Sequence, residues 1–366
     1  MKFIFFLLFP ILLVANLTYT TNHTKELEIL EAFDIESSFL YDTPMNEMRS
    51  NHTAVDRDKE FFQAMEDAYL FIPAVKNLLS EYEIPQEFLY LAMAESNFHT
   101  KALSVKKASG FWQFMTQTGQ NYNLKVNEYV DERRDLIKST KAASKHLARL
   151  HKKFGKWYLA AIAYNCGEGK LSSAIEEAGS DELSVLLDEK KKYIPEESRG
   201  YIRKIIALAF IGNDEQFMLK SEYEYLLNRA NAYSISTVTL PMGESLSRVA
   251  TLIGIPLDEL KKLNRHLNYD FMPPYESSYD IYIPYIKLSE FKQKYHEEPI
   301  SNIYKVHLVC AGDSLASLGR KYGISYKAIK DFNSIKGTHL TLHAKLIIPI
   351  QKSDEKPLSK KKLATS

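Results

Sequence analysis

The sequence predicts an α+β protein of several domains, an all-α block followed by two small βααβ units. Helical apolar periodicity starts near Phe61 and continues to Gly212 with few alternating β-branched runs, the pattern of packed helices. Beyond Arg229 the chain repeats itself. Leu240–Asn264 aligns without gaps on Val309–Asn333, matching Gly243 with Gly312, Leu246 with Leu315, Gly254 with Gly323 and Asn264 with Asn333. With 366 residues, 45% of them hydrophobic, the chain can bury one sizeable core and smaller modules, and a net charge of +1 argues against a nucleic-acid partner.

The elements follow from local signals. In residues 1–19, Lys2 and the apolar run Phe3 to Ala15 read as a secretory signal peptide too short for a membrane span, with a retained anchor as the alternative. Residues 20–60 are polar and acidic without a clear period, which predicts a loosely packed N-terminal arm. The helical block is expected over 61–215. Within it, Pro85 suits a first helical turn, and Ile137 to Leu150 forms one helix with Gly155 as its stop. Trp157, Ala161 and Tyr164 share a face of the next helix, which ends before Gly167. A last helix from about Ser198 to Ile211 carries Tyr201. The repeats, 234–285 and 304–350, each hold a strand, a Gly-acidic-Ser turn, two short helices separated by Gly, and a final strand before Pro284 or Pro349. Residues 351–366 form a charged, basic tail expected to be disordered. The two cysteines, Cys166 and Cys310, fall in different predicted domains and read as free thiols in small packed sites.

One acid stands apart. In the helix after Pro85, Phe88, Leu91, Ala92 and Glu95 fall on one face and Leu89, Met93 and Ser96 on the adjoining one, so the helix is apolar on nearly every side. Such a helix is buried. Glu95 at its end is then partly desolvated, which raises a carboxyl pKa and leaves the group protonated and usable as a general acid. Taken alone, Glu95 also reads as a polar residue at a helix end. The residues after it add polar and aromatic groups: Ser96, Asn97 and Ser104, then a tight Ala108-Ser109-Gly110 backbone, then Trp112, Gln113 and Phe114. An indole face and an amide beside a buried acid suit sugar rings, which stack on aromatics and need partners for their hydroxyl and acetamido groups. Taken singly, Trp112 and Tyr164 also read as core aromatics.

Glu95-Ser96, Ser104 nine residues later, and Gly110-Phe111-Trp112-Gln113-Phe114 resemble the first two motifs of bacterial lytic murein transglycosylases of the goose-lysozyme type. Val130–Ala143, Ala163-Tyr164-Asn165-Cys166-Gly167, and Pro195-Glu196-Glu197-Ser198 with Tyr201 resemble the later blocks of the membrane-bound transglycosylase D subfamily. The likeness covers about residues 65 to 350. The second repeat resembles a LysM module, a βααβ unit that binds N-acetylglucosamine-containing glycans, and the first a divergent LysM-like module. The resemblance thus implies a lysozyme-like all-α catalytic domain followed by two LysM-type modules.

It also implies roles. Glu95 is the catalytic acid, and Ser96, Ser104, Trp112, Gln113, Tyr164, Asn165 and Tyr201 meet substrate. Within that set Tyr164 hydrogen-bonds the carboxylate, Trp112 walls the cleft and Asn165 gives support or substrate contact. Gly312, Asp313, Ser314 and Asn333 are the expected glycan-binding positions of the LysM module. Ordinary glycosidases use two carboxylates. The matched motifs supply one, which suffices if the muramoyl 6-hydroxyl of the substrate closes onto the anomeric carbon. The implied reaction is cleavage between N-acetylmuramic acid and N-acetylglucosamine, leaving 1,6-anhydro ends. No metal or organic cofactor is required. The implied partners are peptidoglycan glycan strands, with room for cell-wall enzyme partners and peripheral membrane association. A monomer in the periplasm or cell envelope is expected, and no lipidation cysteine follows the signal. Three alternatives stand beside this: a lysozyme-type hydrolase of the same fold, a non-catalytic peptidoglycan-binding scaffold, and a cell-wall peptidase using Cys166.

Overall fold

The computed structural model describes residues 22–54, 58–99, 102–104, 107–219, 235–273, 277–296 and 304–349. The expected signal peptide and basic tail lie outside these residues. Two compact units emerge, one of Met1–Leu124 with Arg133–Tyr233 and one of Lys125–Glu132 with Ser234–Ser366.

The described part of the first unit is helical. It runs α1 (22–32), α2 (Thr43–Thr53), α3 (Asp58–Ala68), α4 (Ile72–Glu81), α5 (Leu89–Ser96), α6 (Thr116–Asn121), α7 (Leu136–Phe154), α8 (Trp157–Cys166), α9 (Glu168–Ala178), α10 (Leu183–Leu186), α11 (Glu196–Gly212) and α12 (Glu215–Leu219). Beyond Lys204 α11 is apolar on every side, with Ile205, Ile206, Leu208 and Phe210 all buried, and α2, α5 and α8 pack on it. A Cβ at Gly212 would lie 2.2 Å from the Tyr90 hydroxyl oxygen, so glycine there permits the close approach of α11 to α5. The long α7 starts where the Asp135 side chain accepts from the Lys138 N–H and stops at Gly155, whose φ of +78° suits glycine.

Two expectations change. Pro85 has an extended ψ of 135° and precedes a 3₁₀ turn, Gln86–Phe88, so the α-helix begins only at Leu89. Residues 22–53 are not a loose arm. Ile29, Leu30, Phe33, Ile35, Phe39 and Met45 are buried, and the Phe33 ring lies 4.9 Å from that of Phe88. The Asp42 carboxylate caps α2 and pairs with Arg203 of α11 at 3.1 Å. Acidic residues interleaved with these apolar ones hide the helical period. Burial of a half-dozen large side chains is nonetheless sufficient to hold the segment down.

The second unit holds two modules of the same plan. In the first, β1 (Ile235–Pro241) pairs antiparallel with β2 (Ser278–Pro284), Ile235 opposite Pro284, with α13 (Leu246–Ile253) and α14 (Leu257–Leu263) between them and α15 (Leu288–Lys294) after. In the second, β3 (Tyr304–Leu308) pairs antiparallel with β4 (Lys345–Pro349), with α16 (Leu315–Tyr322) and α17 (Tyr326–Phe332) between. The repeat extends to one internal clamp. Asn264 donates to Leu260 and Tyr282 carbonyls and accepts from the Tyr282 N–H; Asn333 does the same with Ile329 and Ile347. Each Asn thereby ties the end of its second helix to the closing strand. Lys125–Glu132, expected inside the helical block, counts with this unit: Val130 bridges Leu267, and buried Glu132 accepts from the Tyr279 hydroxyl at 2.7 Å.

Candidate active site

Glu95 occupies the last turn of α5, a helix whose residues Leu89 to Met93 are all buried. The chain leaves the helix through Asn97 and Phe98, both with positive φ, and this turn keeps the half-buried Glu95 side chain at the helix end. The Tyr201 hydroxyl donates to Glu95 Oε1 at 2.7 Å. Burial pushes the Glu95 carboxyl up to about 7, against the Tyr201 hydrogen bond and the Lys204 charge, which favour the ionised form; the Glu197 charge pushes further up. Near neutral pH this group therefore holds its proton about half the time, the condition a general acid needs.

The other predicted residues divide between the site and its scaffold. Tyr164, expected on the carboxylate, instead donates to the Trp112 carbonyl at 2.7 Å; α11 delivers Tyr201 to Glu95 in its place. Tyr164 is still an electrostatic neighbour of Glu95. Trp112 does not wall a cleft. Its ring is 0% exposed and its indole N–H donates to Thr140 Oγ1 of α7 at 2.9 Å, so the indole stitches the motif loop to the core. Ser96 is likewise internal, donating to the Phe111 carbonyl at 2.8 Å and the Ala92 carbonyl at 3.1 Å. Ser104 Oγ accepts from the Ala108 N–H, two residues before Gly110. Gly110 has φ +86°, and a Cβ there would lie 1.9 Å from the Arg133 carbonyl oxygen. Gln113, itself at φ +48°, donates to the Gly110 and Ala102 carbonyls. Asn165 accepts from the Ser198 hydroxyl at 2.7 Å, joining α8 to α11.

Gln113 and Tyr164 also line a cavity of about 670 Å³ with Tyr122, His146, Arg149 and Glu168, residues that the motif reading did not single out. Arg149 holds Glu168 through two 3.1 Å bonds and donates to the Tyr122 hydroxyl, which meets His146 Nδ1 at 2.9 Å. Burial pushes His146 down to about 4, leaving a neutral ring near neutral pH. The one sequence signal for this wall is the i, i+3 spacing of His146 and Arg149 on α7.

In the second module the expected glycan positions serve the fold. Gly312 turns at φ +89°, Asp313 accepts from the Cys310 N–H and meets His307 at 2.8 Å, Ser314 caps α16 in a reciprocal pair with Ser317, and Asn333 is the clamp described above. Cys310 is exposed and Cys166 half-buried, so the packed setting expected of the Cys310 thiol does not hold.

Residues 74–186 match the family model for the transglycosylase SLT domain, 234–299 that for the LysM-like domain of lytic transglycosylase MltD, and 307–349 that for the LysM domain. The membrane-bound lytic murein transglycosylases D of Escherichia coli K12 and of E. coli O6:H1 are each 29% identical over 273 residues, 70% of this chain. The chain spans 58% of the length of these curated relatives. The crystal structure of the 70 kDa soluble lytic transglycosylase Slt70 from E. coli aligns at 22% identity over 43% of this chain and 25% of its own, with a TM-score of 0.32, too low to bear on the fold. From the family models, the chain carries in order a transglycosylase SLT domain, a LysM-like domain of the lytic transglycosylase D kind, and a LysM domain.

Proposed function

We propose that the chain is a peptidoglycan lytic transglycosylase in which Glu95 is the catalytic acid and base. The observation that carries this is the half-buried carboxyl at the end of α5, held by Tyr201 and raised to about 7. The SLT domain match and the name of the curated relatives, lytic murein transglycosylase, support murein as the substrate. Protonated Glu95 gives its proton to the oxygen between N-acetylmuramic acid and N-acetylglucosamine as the C1–O bond breaks. The substrate acetamido group steadies the positive charge left at the anomeric carbon. Glu95, now a carboxylate, takes the proton of the muramoyl 6-hydroxyl while that oxygen bonds to C1. One acid thus closes the cycle, with no second carboxylate required.

Tyr201 suits this cycle because its donated hydrogen bond favours the carboxylate that forms in mid-reaction. Gln113, Tyr164 and the cavity beside them are the proposed seat of the sugars, with Ser96, Ser104, Trp112 and Asn165 shaping it from behind. The LysM modules are the proposed anchors to glycan in the cell envelope. Among the described residues no helix is long and apolar enough to cross a membrane. The peptidase alternative loses support because burial pushes the Cys166 thiol up, away from the reactive thiolate.

The test is the mass of muropeptides released from purified sacculi. Products lighter by one water than hydrolysis products are expected. Hydrated reducing ends would assign the lysozyme-type reaction instead, and free stem-peptide amines the peptidase.

A further inference from the structure

Lys204 lies one turn beyond Tyr201 on α11, so both side chains leave the helix on the face that meets the end of α5. It is half-buried, and its ammonium donates to the Ala94 carbonyl at 2.8 Å. That carbonyl belongs to the last turn of α5, the negative end of the helix, where a cation is favoured. Ala94 is the residue before Glu95, so this bond fixes the backbone that carries the acid. Among the described residues, the Ala94 carbonyl is the one hydrogen-bond partner of the ammonium, and no carboxylate reaches ion-pairing distance of it. Lys204 is therefore close enough to Glu95 to act on its charge and too far to lock it in a salt bridge. The other titratable or charged groups acting on Glu95 are Tyr201 and Glu197 of α11 and Tyr164 of α8.

We propose that Lys204 is a positioning residue for Glu95, holding the end of α5 through the Ala94 carbonyl and supplying a nearby positive charge to the carboxylate that forms when the proton leaves. This rests on the reading of Glu95 as the acid. An ion pair would keep Glu95 ionised and useless as a proton donor. An unopposed buried carboxyl would hold its proton too tightly. A cation anchored on the neighbouring carbonyl avoids both.

The titration of Glu95 is followed directly in full-length protein carrying ¹³C-labelled glutamate, with the signal assigned by its loss in Glu95→Gln. In Lys204→Met the Glu95 midpoint should rise by about one pH unit, and Lys204→Arg should restore it nearly to the wild-type value. Lys204→Gln provides a second neutral variant should the methionine variant fold poorly. In sacculus digestion the neutral variants should lose about tenfold or more in rate, with the basic limb moved to higher pH. A Glu95 midpoint unchanged or lowered in a folded neutral variant would overturn the proposal. Because the titration requires no turnover, a wild-type protein that released no muropeptide would sink the transglycosylase reading alone, while the midpoint would still decide the role of Lys204.

Discussion

Replacing Glu95 by Gln should stabilise the first unit at high pH and leave it nearly unchanged at low pH. The amide keeps the size of the carboxyl and an oxygen to accept from Tyr201. It removes the group whose ionisation opposes folding. In the unfolded chain this glutamate loses its proton near 4.5, and in the folded chain it keeps it to about 7. Between those values the folded state binds more protons, so wild-type stability falls as pH rises through the window and levels off above it. A separation of about 2.5 units at about 1.36 kcal/mol per unit gives about 3 kcal/mol at full ionisation. The assay is urea denaturation at pH 4 and pH 8 at constant ionic strength, followed by tryptophan fluorescence. The two tryptophans of the chain, Trp112 and Trp157, both lie in the first unit, so the signal reports on that unit alone. The stability difference between variant and wild type should grow by about 3 kcal/mol from pH 4 to pH 8. A difference that stays flat across this range would refute the burial of Glu95 in an ionisation-resistant site.

Tyr201→Phe should raise the Glu95 midpoint further, because the lost hydrogen bond favoured the carboxylate, and the basic limb of the pH–rate profile should move to higher pH with it. Gly110→Ala should cost more than about 3 kcal/mol, since the φ is positive and the new Cβ meets the Arg133 carbonyl; the same fluorescence-monitored denaturation measures it. Asn333→Ala removes three hydrogen bonds, two of which join the end of α17 to β4, and should cost about 2 kcal/mol or more in the second module. It should weaken sacculus binding through loss of the fold, with hydrogen exchange at Ile347 reporting the local opening.

The elements with local chemistry at their ends were legible in the sequence. Gly155 and Gly167 mark the ends of α7 and α8 because their backbones turn through positive φ, and the paired glycines and asparagines of the repeat set out the plan of the two modules. Glu95 was legible as well, since an apolar helix ending in an acid implies desolvation. What stayed hidden depends on partners distant in sequence. The motif brings Trp112 close after the acid in sequence but does not say that Thr140, on another helix, takes its N–H. The resemblance names Tyr164 as the donor to the carboxylate, and only the crossing of α5 with α11 shows that Tyr201 comes to 2.7 Å in its place. In the sequence His146 and Arg149 are only positions on the helix from Ile137 to Leu150, and Tyr122 joins them into one wall. The N-terminal segment reads as loose in the sequence because its acids interrupt the apolar spacing, while the Asp42–Arg203 pair that anchors it spans most of the first unit in sequence.

The central claim is that one carboxyl, Glu95, does the proton chemistry. Digestion of sacculi by wild-type protein and by Glu95→Gln, at equal sacculus binding and with the fold checked by tryptophan fluorescence, tests it most directly. A fall of at least about 100-fold in muropeptide release is predicted for the variant. Release at a near-wild-type rate would contradict the assignment and move the acid elsewhere in the molecule.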